Sequence, residues 1–430
     1  MTIASAALSR ASEVRTVREC PTCGLFQTVP ALAPHTGSTC RRCGTLLRQH
    51  RTDPARRALA LVITALLLFT LAATQPFLSL DLGAGRNTTL LGGPEALEQS
   101  GLAPMAFVVL ATTLLAPALR LGMIFWVLLR LHLRRPRQAL PHHLRTLFRW
   151  AEALSDWSMI EVFLLGVFVA YAKLIDLAPV HVGLAAYALG AMMLMMAAAD
   201  ATLDHEVIWD ELVPRPQLAR AIPPARRIAC EGCGRITDHE GACGCCGAQV
   251  QRRKRHSLSE SWALLIAAAL LYIPANTMPI LTVIQLGQGL PSTILEGVVE
   301  LADSGLWPLA ALVFTASILV PVLKLLGLAY LLITTGRRSR RHLAVRTRIY
   351  RIVEAVGRWS MIDVFMISIL TALVQMGALA TVIPGPGALS FCAVVLLTMV
   401  AAQRFDPRLM WDALDHHDPS AATRSPKVTS

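Results

Sequence analysis

The sequence predicts an all-α polytopic membrane protein with two parallel-repeated four-helix transmembrane modules, each preceded by a small cytoplasmic zinc-ribbon-like domain with four cysteines. Of its 430 residues, 54% are hydrophobic and only 16% are charged, whereas average soluble chains carry roughly 25% charged residues. The apolar residues come in blocks of about 20, the length that a helix needs to cross the hydrocarbon core. Long motifs also recur at a constant interval, which indicates a duplicated fold.

The duplication spans most of both halves of the chain. The segment Trp157–Phe163 (WSMIEVF) returns 202 positions later as Trp359–Phe365 (WSMIDVF). The other repeated pairs are 100–104 with 304–308 and 204–210 with 406–412. Because the scaffold is shared, a residue that differs between the two halves is a clue to function.

Eight apolar blocks are candidate membrane spans, four in each half. They lie near 57–75, 104–131, 157–175, 182–201, 262–283, 307–335, 359–382 and 388–402. The spans and the cysteines together divide the chain into six regions. These are an N-terminal tail (1–19), a first zinc ribbon (20–50), a first transmembrane module (57–212), a second zinc ribbon (228–252), a second transmembrane module (261–414) and a disordered tail (415–430).

The charged loops alternate in sign and predict the topology. Arginine-rich loops follow the second and sixth spans, whereas acidic segments at 93–98 and 296–301 follow the first and fifth. We expect these acidic segments to be amphipathic helices at the outer surface. The positive-inside rule places the arginine-rich loops and both termini in the cytoplasm. Because the net charge of +12 is concentrated in such loops, we expect no nucleic-acid partner.

The first ribbon carries two pairs of cysteines with the spacing of a zinc site. Cys20 and Cys23 form one CxxC knuckle, Cys40 and Cys43 form the other, and sixteen residues separate the two. Each short turn presents two sulfurs to one tetrahedral ion, and the glycine after each pair suits the tight turn. Because four thiolates leave no open coordination position, the predicted zinc site is structural and not catalytic.

The second ribbon repeats the pattern with a shorter gap. Cys230, Cys233, Cys243 and Cys246 fit the same frame and leave Cys245 as a spare thiol. Disulfides and a redox-active CxxC pair are the alternatives. A cytoplasmic position keeps thiols reduced and therefore favours metal binding.

Polar residues inside the predicted spans mark a candidate pathway for a lipid headgroup or a proton. Lys173 and Asp176 lie three residues apart near the outer end of the third span, so they can pair on one helical face. Lys324 lies inside the sixth span, Ser317 is two turns before it, and Thr398 of the last span can reach the same interior. The alternative is that Lys173 and Asp176 only neutralise each other while Lys324 snorkels to the interface.

Two acidic residues recur at equivalent positions, Glu161 at the start of the third span and Asp363 at the start of the seventh. Because both halves keep them, we expect them to stabilise their modules, with Arg149 and Arg351 as candidate partners.

The sequence contains no P-loop, no histidine pair for haem within a span and no nucleophile-elbow motif. We therefore predict that the protein is not an enzyme.

Together these motifs resemble the paraquat-inducible protein A family. The resemblance rests on the duplicated cysteine knuckles, the WSMI(E/D)VF motif and the segment Phe405–Asp412 (FDPRLMWD), and it covers nearly the whole chain. It implies an inner-membrane component of a lipid transport system, which passes phospholipid to or from a periplasmic MCE-domain tunnel protein and supports envelope integrity. The first-half counterpart, Leu203–Glu206, departs from the FDPR sequence, which indicates that the second module keeps the more selected role.

On this resemblance we expect the lipid route to lie in the second module, with Lys324 contacting an anionic headgroup beside Ser317 and Thr398. Lys173 and Asp176 would then either sense protonation or hold the two halves together. One alternative is a membrane scaffold that anchors and regulates the tunnel through its zinc ribbons, without a lipid path of its own. Another is a membrane redox protein that acts on thiols or quinone.

Overall fold

The structure confirms the predicted fold class. Among the residues that it describes, eight helices are long and apolar enough to cross a membrane, and two clusters of four cysteines lie outside them. The spans are Ala55–Thr74, Ala103–His132, His142–Ala172, Leu184–Thr202, Ser257–Thr277, Trp307–Gly336, Leu343–Leu373 and Pro386–Arg404. The computed structural model describes residues 16–29, 36–49, 54–80, 86–134, 141–174, 180–213, 222–285, 288–374, 380–415 and 427–429.

The two modules contain the same succession of helices. The first comprises α1 (Pro54–Thr74), α2 (Gly92–Gln99), α3 (Ala103–Leu110), α4 (Ala116–His132), α5 (His142–Ala153), α6 (Ile160–Leu174), α7 (Leu184–Thr202) and α8 (His205–Leu212). The second comprises α9 (Ser257–Thr277), α10 (Ile294–Asp303), α11 (Trp307–Phe314), α12 (Val320–Gly336), α13 (Leu343–Gly357), α14 (Ile362–Leu373), α15 (Pro386–Arg404) and α16 (Leu409–Asp415). π-Helical turns at Ala111–Leu115 and Thr315–Leu319 join α3 to α4 and α11 to α12.

The third and seventh spans begin earlier than the sequence analysis placed them. α5 leads into α6 through a 3₁₀ turn at Leu154–Asp156, and α13 leads into α14 through a 3₁₀ turn at Arg358–Met361. Hydropathy conceals α5 and α13 because both helices carry arginines on an amphipathic surface.

Short antiparallel strands form the ribbons and one end of each module. In chain order they are β1 (Thr16–Glu19), β2 (Phe26–Val29), β3 (Gly37–Thr39), β4 (Leu46–Gln49), β5 (Leu78–Leu80), β6 (Arg86–Thr88), β7 (Val180–Val182), β8 (Ile228–Ala229), β9 (Ile236–Thr237), β10 (Gly241–Ala242), β11 (Gln249–Val250), β12 (Leu281–Gln285), β13 (Gln288–Ser292), β14 (Ala380–Pro384) and β15 (Lys427–Thr429). β5 pairs with β6 and β7, and β12 pairs with β13 and β14. Each three-stranded sheet therefore ties the segment after the first span of a module to the segment after its third.

The predicted C-terminal tail contains one described strand. β15 pairs with β3 of the first ribbon, and Val428 lies opposite Ser38. Residues 416–426 of that tail lie outside the described residues.

The helices that carry the repeated motif join the two modules. Within each module the first and last spans pack along each other, α1 with α7 and α9 with α15, while α6 of the first module lies against α14 of the second. Phe163 and Phe365 meet edge to face across this junction, with ring centroids 5.6 Å apart. A Cβ added at Gly166 would lie only 3.0 Å from the Cβ of Phe365. The repeated motif therefore builds the inter-module interface, and Gly166 permits the close approach.

Replacing Gly166 with leucine should weaken the interface between the modules. The new side chain would overlap Phe365, and overpacking of this kind costs about 1–3 kcal/mol. We expect a lower Tm in thermal unfolding of the purified protein. Gly122→Leu is the matched control, because a Cβ added at this helical glycine meets nothing within 4 Å. Equal Tm values for the two variants would contradict the proposed packing role.

Candidate metal centres and intramembrane polar site

The first four-cysteine cluster is formed by two knuckles that face each other. Each knuckle turns at the glycine that follows it, with φ values of 71° and 73°. Cys20 Sγ lies 3.4 Å from Cys43 Sγ, and Cys23 Sγ lies 3.5 Å from Cys40 Sγ. All four sulfurs lie within 4.8 Å of one another, so one ion could contact them all.

The second cluster has the same geometry. Cys230 Sγ lies 3.5 Å from Cys246 Sγ, and Cys233 Sγ lies 3.7 Å from Cys243 Sγ. Cys245 is not a member of this group of four. Its backbone N–H donates to Cys243 Sγ at 3.4 Å, which stabilises negative charge on a ligand sulfur.

Both clusters fit a tetrahedral ion. With Zn–S bonds of about 2.3 Å, the sulfurs of a four-thiolate site lie about 3.8 Å apart, whereas a disulfide bond is only about 2.05 Å long. Hydrogen bonds with the thiols of Cys20 and Cys23 lower the pKa of Cys43, whereas the neighbouring thiols and burial raise the pKa of Cys23. An ion shared by the four sulfurs would favour the thiolate form of each of them. Each cluster could therefore hold a structural metal ion such as zinc.

Each ribbon packs on the module that does not directly follow it in the sequence. Arg351 of the second module donates to the Cys43 carbonyl oxygen at 2.9 Å and to Thr45 Oγ1 at 2.6 Å, both in the first ribbon. Arg149, at the equivalent position of the first module, donates to the Cys246 carbonyl oxygen of the second ribbon at 2.9 Å. The apolar contacts of the two ribbons follow the same pattern. The ribbons are therefore crossed over the two modules.

The guanidinium of Arg408 joins both ribbons to the second module. It donates to both oxygens of Asp406 at 3.0 Å, to Glu19 at 3.4 Å, and to Glu231 of the second ribbon. Glu19 ends strand β1, which pairs with β2 and so forms part of the first ribbon in the structure. The side chains of Arg408 and Glu19 are each only 5% exposed. Burial raises the pKa of Glu19 above its usual value, and the nearby guanidinium of Arg408 offsets only part of this rise. This buried charge network was not predicted from the sequence, although Arg408 belongs to the FDPRLMWD motif.

A second arginine extends this network. Arg253, which follows the second ribbon, makes two hydrogen bonds to Asp412, at 2.6 and 3.0 Å, and lies 3.7 Å from Glu19. Glu19 also accepts a hydrogen bond from the Ala229 backbone N–H of the second ribbon at 3.2 Å. The carboxylate of Glu19 thus contacts the other ribbon and two arginines.

The interior of the second module contains a buried lysine. Lys324 is 2% exposed, and its Nζ donates to Thr398 Oγ1 at 2.8 Å. Ser317 is fully buried in the π-helical turn, and its hydroxyl makes no hydrogen bond with the described residues. The structure thus brings Lys324 and Thr398 into contact and leaves the Ser317 hydroxyl available on the same segment.

The first module has different chemistry at the equivalent position. Arg120 takes the place of Lys324 and forms an ion pair with Asp200 of α7 at 2.7 Å. Asp200 was not predicted from the sequence, although an ionisable residue at the end of the fourth span was an available signal. Arg120 therefore has a carboxylate partner, whereas the described contact of Lys324 is to a neutral hydroxyl.

The remaining predicted polar residues have mixed outcomes. The side chain of Lys173 and all of Asp176 lie outside the described residues, so their pairing stays a prediction. Asp363 is 6% exposed, and Glu161 lines a cleft of about 590 Å³ beside the second ribbon. Their candidate partners, Arg149 and Arg351, contact the ribbons. The stabilising role of Glu161 and Asp363 stays a prediction.

Comparison with known proteins gives a consistent result. The family model described as "Paraquat-inducible protein A" matches residues 55–213 and 258–415, one range for each module. "Intermembrane transport protein PqiA" of Escherichia coli K12 is 35% identical over 91% of this chain and 95% of that protein. "Lipophilic envelope-spanning tunnel protein A" of the same strain is 31% identical over 92% and 91%. A "Probable intermembrane transport protein" of Haemophilus influenzae is 26% identical over 93% and 96%. No solved structure matches the chain.

Substitution of single cysteines should remove the metal ions one at a time. We expect two ions per chain in the native protein, and one in Cys23→Ser or Cys233→Ser, because three thiolates leave the coordination incomplete. Cys245→Ser should keep both ions. Native mass spectrometry of the purified protein gives the stoichiometry. Loss of an ion from Cys245→Ser, or two ions in Cys23→Ser, would contradict the ligand assignment.

Replacing Arg408 with glutamine should detach the ribbons from the second module. Two carboxylates, Glu19 and Asp406, would lose a buried cation, and breaking a buried pair costs about 3–5 kcal/mol. We expect faster cleavage of the ribbons in limited proteolysis. Arg404→Gln is the control, because Arg404 and Glu260 are 60% and 42% exposed in a 3.3 Å pair that contributes at most about 1 kcal/mol. Indistinguishable cleavage rates would show that Arg408 does not hold the ribbons.

Proposed function

The chain belongs to the paraquat-inducible protein A family, and on that premise we propose that it is the inner-membrane component of an MCE-type intermembrane lipid transport system. It loads phospholipid into, or receives it from, a periplasmic MCE-domain tunnel protein. The observation that carries this proposal is the 35% identity, over 91% of the chain, to a protein named as an intermembrane transport protein. The eight candidate spans support a multi-pass membrane location, and we propose cytoplasmic termini from the basic loops.

Lys324 is the proposed contact for an anionic phospholipid headgroup. A buried ammonium is costly unless it is paired or hydrogen-bonded, and the described partner of Lys324 is only the hydroxyl of Thr398. A phosphate would supply the missing negative charge and would accept a hydrogen bond from Ser317. Thr398, whose hydroxyl donates to the Val395 carbonyl oxygen at 2.9 Å, would orient the ammonium beside it. The ion pair between Arg120 and Asp200 satisfies the equivalent cation in the first module. This difference supports a lipid route in the second module.

The π-helical turns help to place these groups. A π-turn interrupts the regular hydrogen bonding of a helix and is frequent at functional sites. In the second module it holds Ser317, and Lys324 follows on α12. The headgroup would thus bind where the backbone of this span is least regular. Lys173 and Asp176 would respond to protonation or hold the two modules together.

The protein itself is proposed to carry out transport without catalysis. Zinc, when bound by the cysteines, supplies structural cross-links within the ribbons. The ribbon residues then orient the modules through Arg149, Arg351 and Arg408. A scaffold that only anchors the tunnel would also need these ribbon contacts, but it would not need a cation in the interior of the second module.

Replacing Lys324 with alanine should abolish phospholipid binding and transport-dependent envelope protection without reducing the protein level. The ammonium supplies the proposed charge for the headgroup, so Lys324→Arg should keep part of the activity. We would measure phospholipid bound per chain by native mass spectrometry and the detergent resistance of complemented cells.

Lys254→Ala is the control, because this lysine lies outside the spans. Its Nζ also donates a single hydrogen bond to a neutral oxygen, the carbonyl of Gln403. Full lipid binding and full protection in Lys324→Ala would exclude the proposed route and favour the scaffold function.

A further inference from the structure

A polar cleft of about 590 Å³ lies between the first module and the second ribbon. Its wall includes the junction of α5 with α6, the end of α7, the segment 232–234 of the ribbon, and Arg358 of the second module. Clefts of about 300–1,000 Å³ are typical of small-molecule sites. The cleft is therefore large enough for a small molecule or a lipid headgroup, and the route proposed at Lys324 does not use it.

Several polar groups of this cleft are already paired within the protein. The pairs are Arg120 with Asp200, Glu231 with Arg408, and Glu152 with His205 and Trp209. Asp200 stands where the second module has Ala402, so its ion pair is specific to the first module. These contacts hold the wall in place and leave other polar groups of the cleft for a ligand.

Four polar side chains of the cleft, Asp156, Ser158, Glu161 and Arg358, make no hydrogen bond or ion pair with the described residues. Ser158 is only 5% exposed, and its hydroxyl is buried without a partner. Buried polar atoms of this kind are normally hydrogen-bonded, so a ligand in the cleft would complete the site. Glu161 is exposed, whereas its counterpart Asp363 is 6% exposed, so the repeated acid is open to a ligand only in the first module.

The charges that remain have both signs, which favours a zwitterionic ligand. The carboxylates of Asp156 and Glu161 attract a cation. The guanidinium of Arg358 suits a phosphate, and Arg18 adds a second positive charge to the wall. A ligand with one ammonium and one phosphate would therefore match the cleft better than a simple cation or anion.

The surroundings also decide which cation fits. A metal ion is a poorer occupant, because among the described residues only the two cysteine clusters bring three or more metal-binding side chains within 4.8 Å of one another. A quaternary ammonium is typically held by a cage of aromatic rings. Trp209, the one tryptophan, tyrosine or phenylalanine in the described wall, is 4% exposed. A primary ammonium, which donates hydrogen bonds to carboxylates, fits best.

The cleft adjoins an apolar seam between membrane spans. Arg120 and Asp200 line both spaces, and apolar side chains such as Val62, Ile124 and Met196 form the rest of the seam. A phospholipid has the same order of a charged headgroup followed by an apolar body. Because the seam measures only about 10 Å³, the acyl chains themselves would lie in the surrounding bilayer. A soluble zwitterion would leave the seam unused.

We propose that this cleft binds the headgroup of a phospholipid with a primary ammonium, that is, of the ethanolamine class. Glu161 and Asp156 would accept hydrogen bonds from the ammonium. Arg358 and the hydroxyl of Ser158 would donate to the phosphate. The inference rests on the proposed function for the class of ligand, but it adds a second site, separate from Lys324, and names its headgroup.

Photo-cross-linking of the full-length protein in lipid vesicles tests this site. Because the acidic groups of the cleft are exposed, its lipid would exchange on extraction, so binding is measured in the bilayer. A photoreactive amino acid replaces Ser155 in the cleft wall, and the vesicles contain equal amounts of phosphatidylethanolamine and phosphatidylglycerol with the same acyl chains. We expect about tenfold more cross-linked phosphatidylethanolamine, the ratio that a charge-assisted hydrogen bond can supply. The same probe at Leu194, which is 60% exposed on α7, should report the equal ratio of the vesicle.

Glu161→Gln should bring the ratio at Ser155 close to that of the vesicle and leave Tm unchanged, whereas loss of a purely stabilising glutamate would lower Tm. Glu98→Gln is the matched control, because Glu98 is an exposed glutamate of α2 that does not line the cleft. Arg358→Gln should lower the yield of cross-linked phosphatidylethanolamine and serves if Glu161→Gln does not fold.

Three results would overturn the inference. One is an equal lipid ratio at Ser155 and Leu194, and another is a ratio and yield unchanged by both substitutions. The third is displacement of the lipid by added glycerophosphoethanolamine, which would assign the cleft to a soluble ligand. Any of these results, together with the expected loss of lipid from extracted Lys324→Ala, would leave the proposed function intact.

Discussion

The buried guanidinium of Arg408 is the interaction on which the arrangement of the ribbons depends. It contacts acidic groups from the first ribbon, the second ribbon and the second module. Burial alone would lower the pKa of Arg408, but the surrounding carboxylates, Asp406 foremost, raise it. The cation and its carboxylates therefore stabilise one another, since any of these charges buried without a partner would be destabilising. Because the partners come from three parts of the chain, the network holds both ribbons in place against the second module.

The two modules share one fold because the sequence is duplicated. Equivalent positions at which the two modules differ indicate where each module has a role of its own. The WSMI(E/D)VF copies pack against each other at Phe163 and Phe365, so an interface between repeats preserves both. Equivalent helices then diverge where no such interface constrains them. Arg120 has a carboxylate partner while Lys324 has a hydroxyl, and Gly93 of α2 is covered by α14 while Gly297, its equivalent in α10, is open. In both comparisons the residue with fewer described contacts lies in the second module.

The sequence predicted features with local signals. Eight spans follow from runs of apolar residues, and the metal clusters follow from CxxC spacing, because both depend on neighbours in the chain. The contacts of Arg149 and Arg351 were not predictable, since a ribbon packs on the module that does not follow it and sequence proximity indicates the wrong one. The strands at one end of each module were not predicted, because segments of three to five residues give little periodicity.

The crossed ribbons constrain how the modules can move. Each ribbon is followed in the chain by one module and is hydrogen-bonded to the other module through Arg149 or Arg351. Separation of the modules would break these contacts and also the close packing at Gly166. A rearrangement inside the second module, at the π-helical turn Thr315–Leu319, breaks neither. Since that turn already lacks regular helical hydrogen bonding, it is the less costly place for a conformational change beside Lys324.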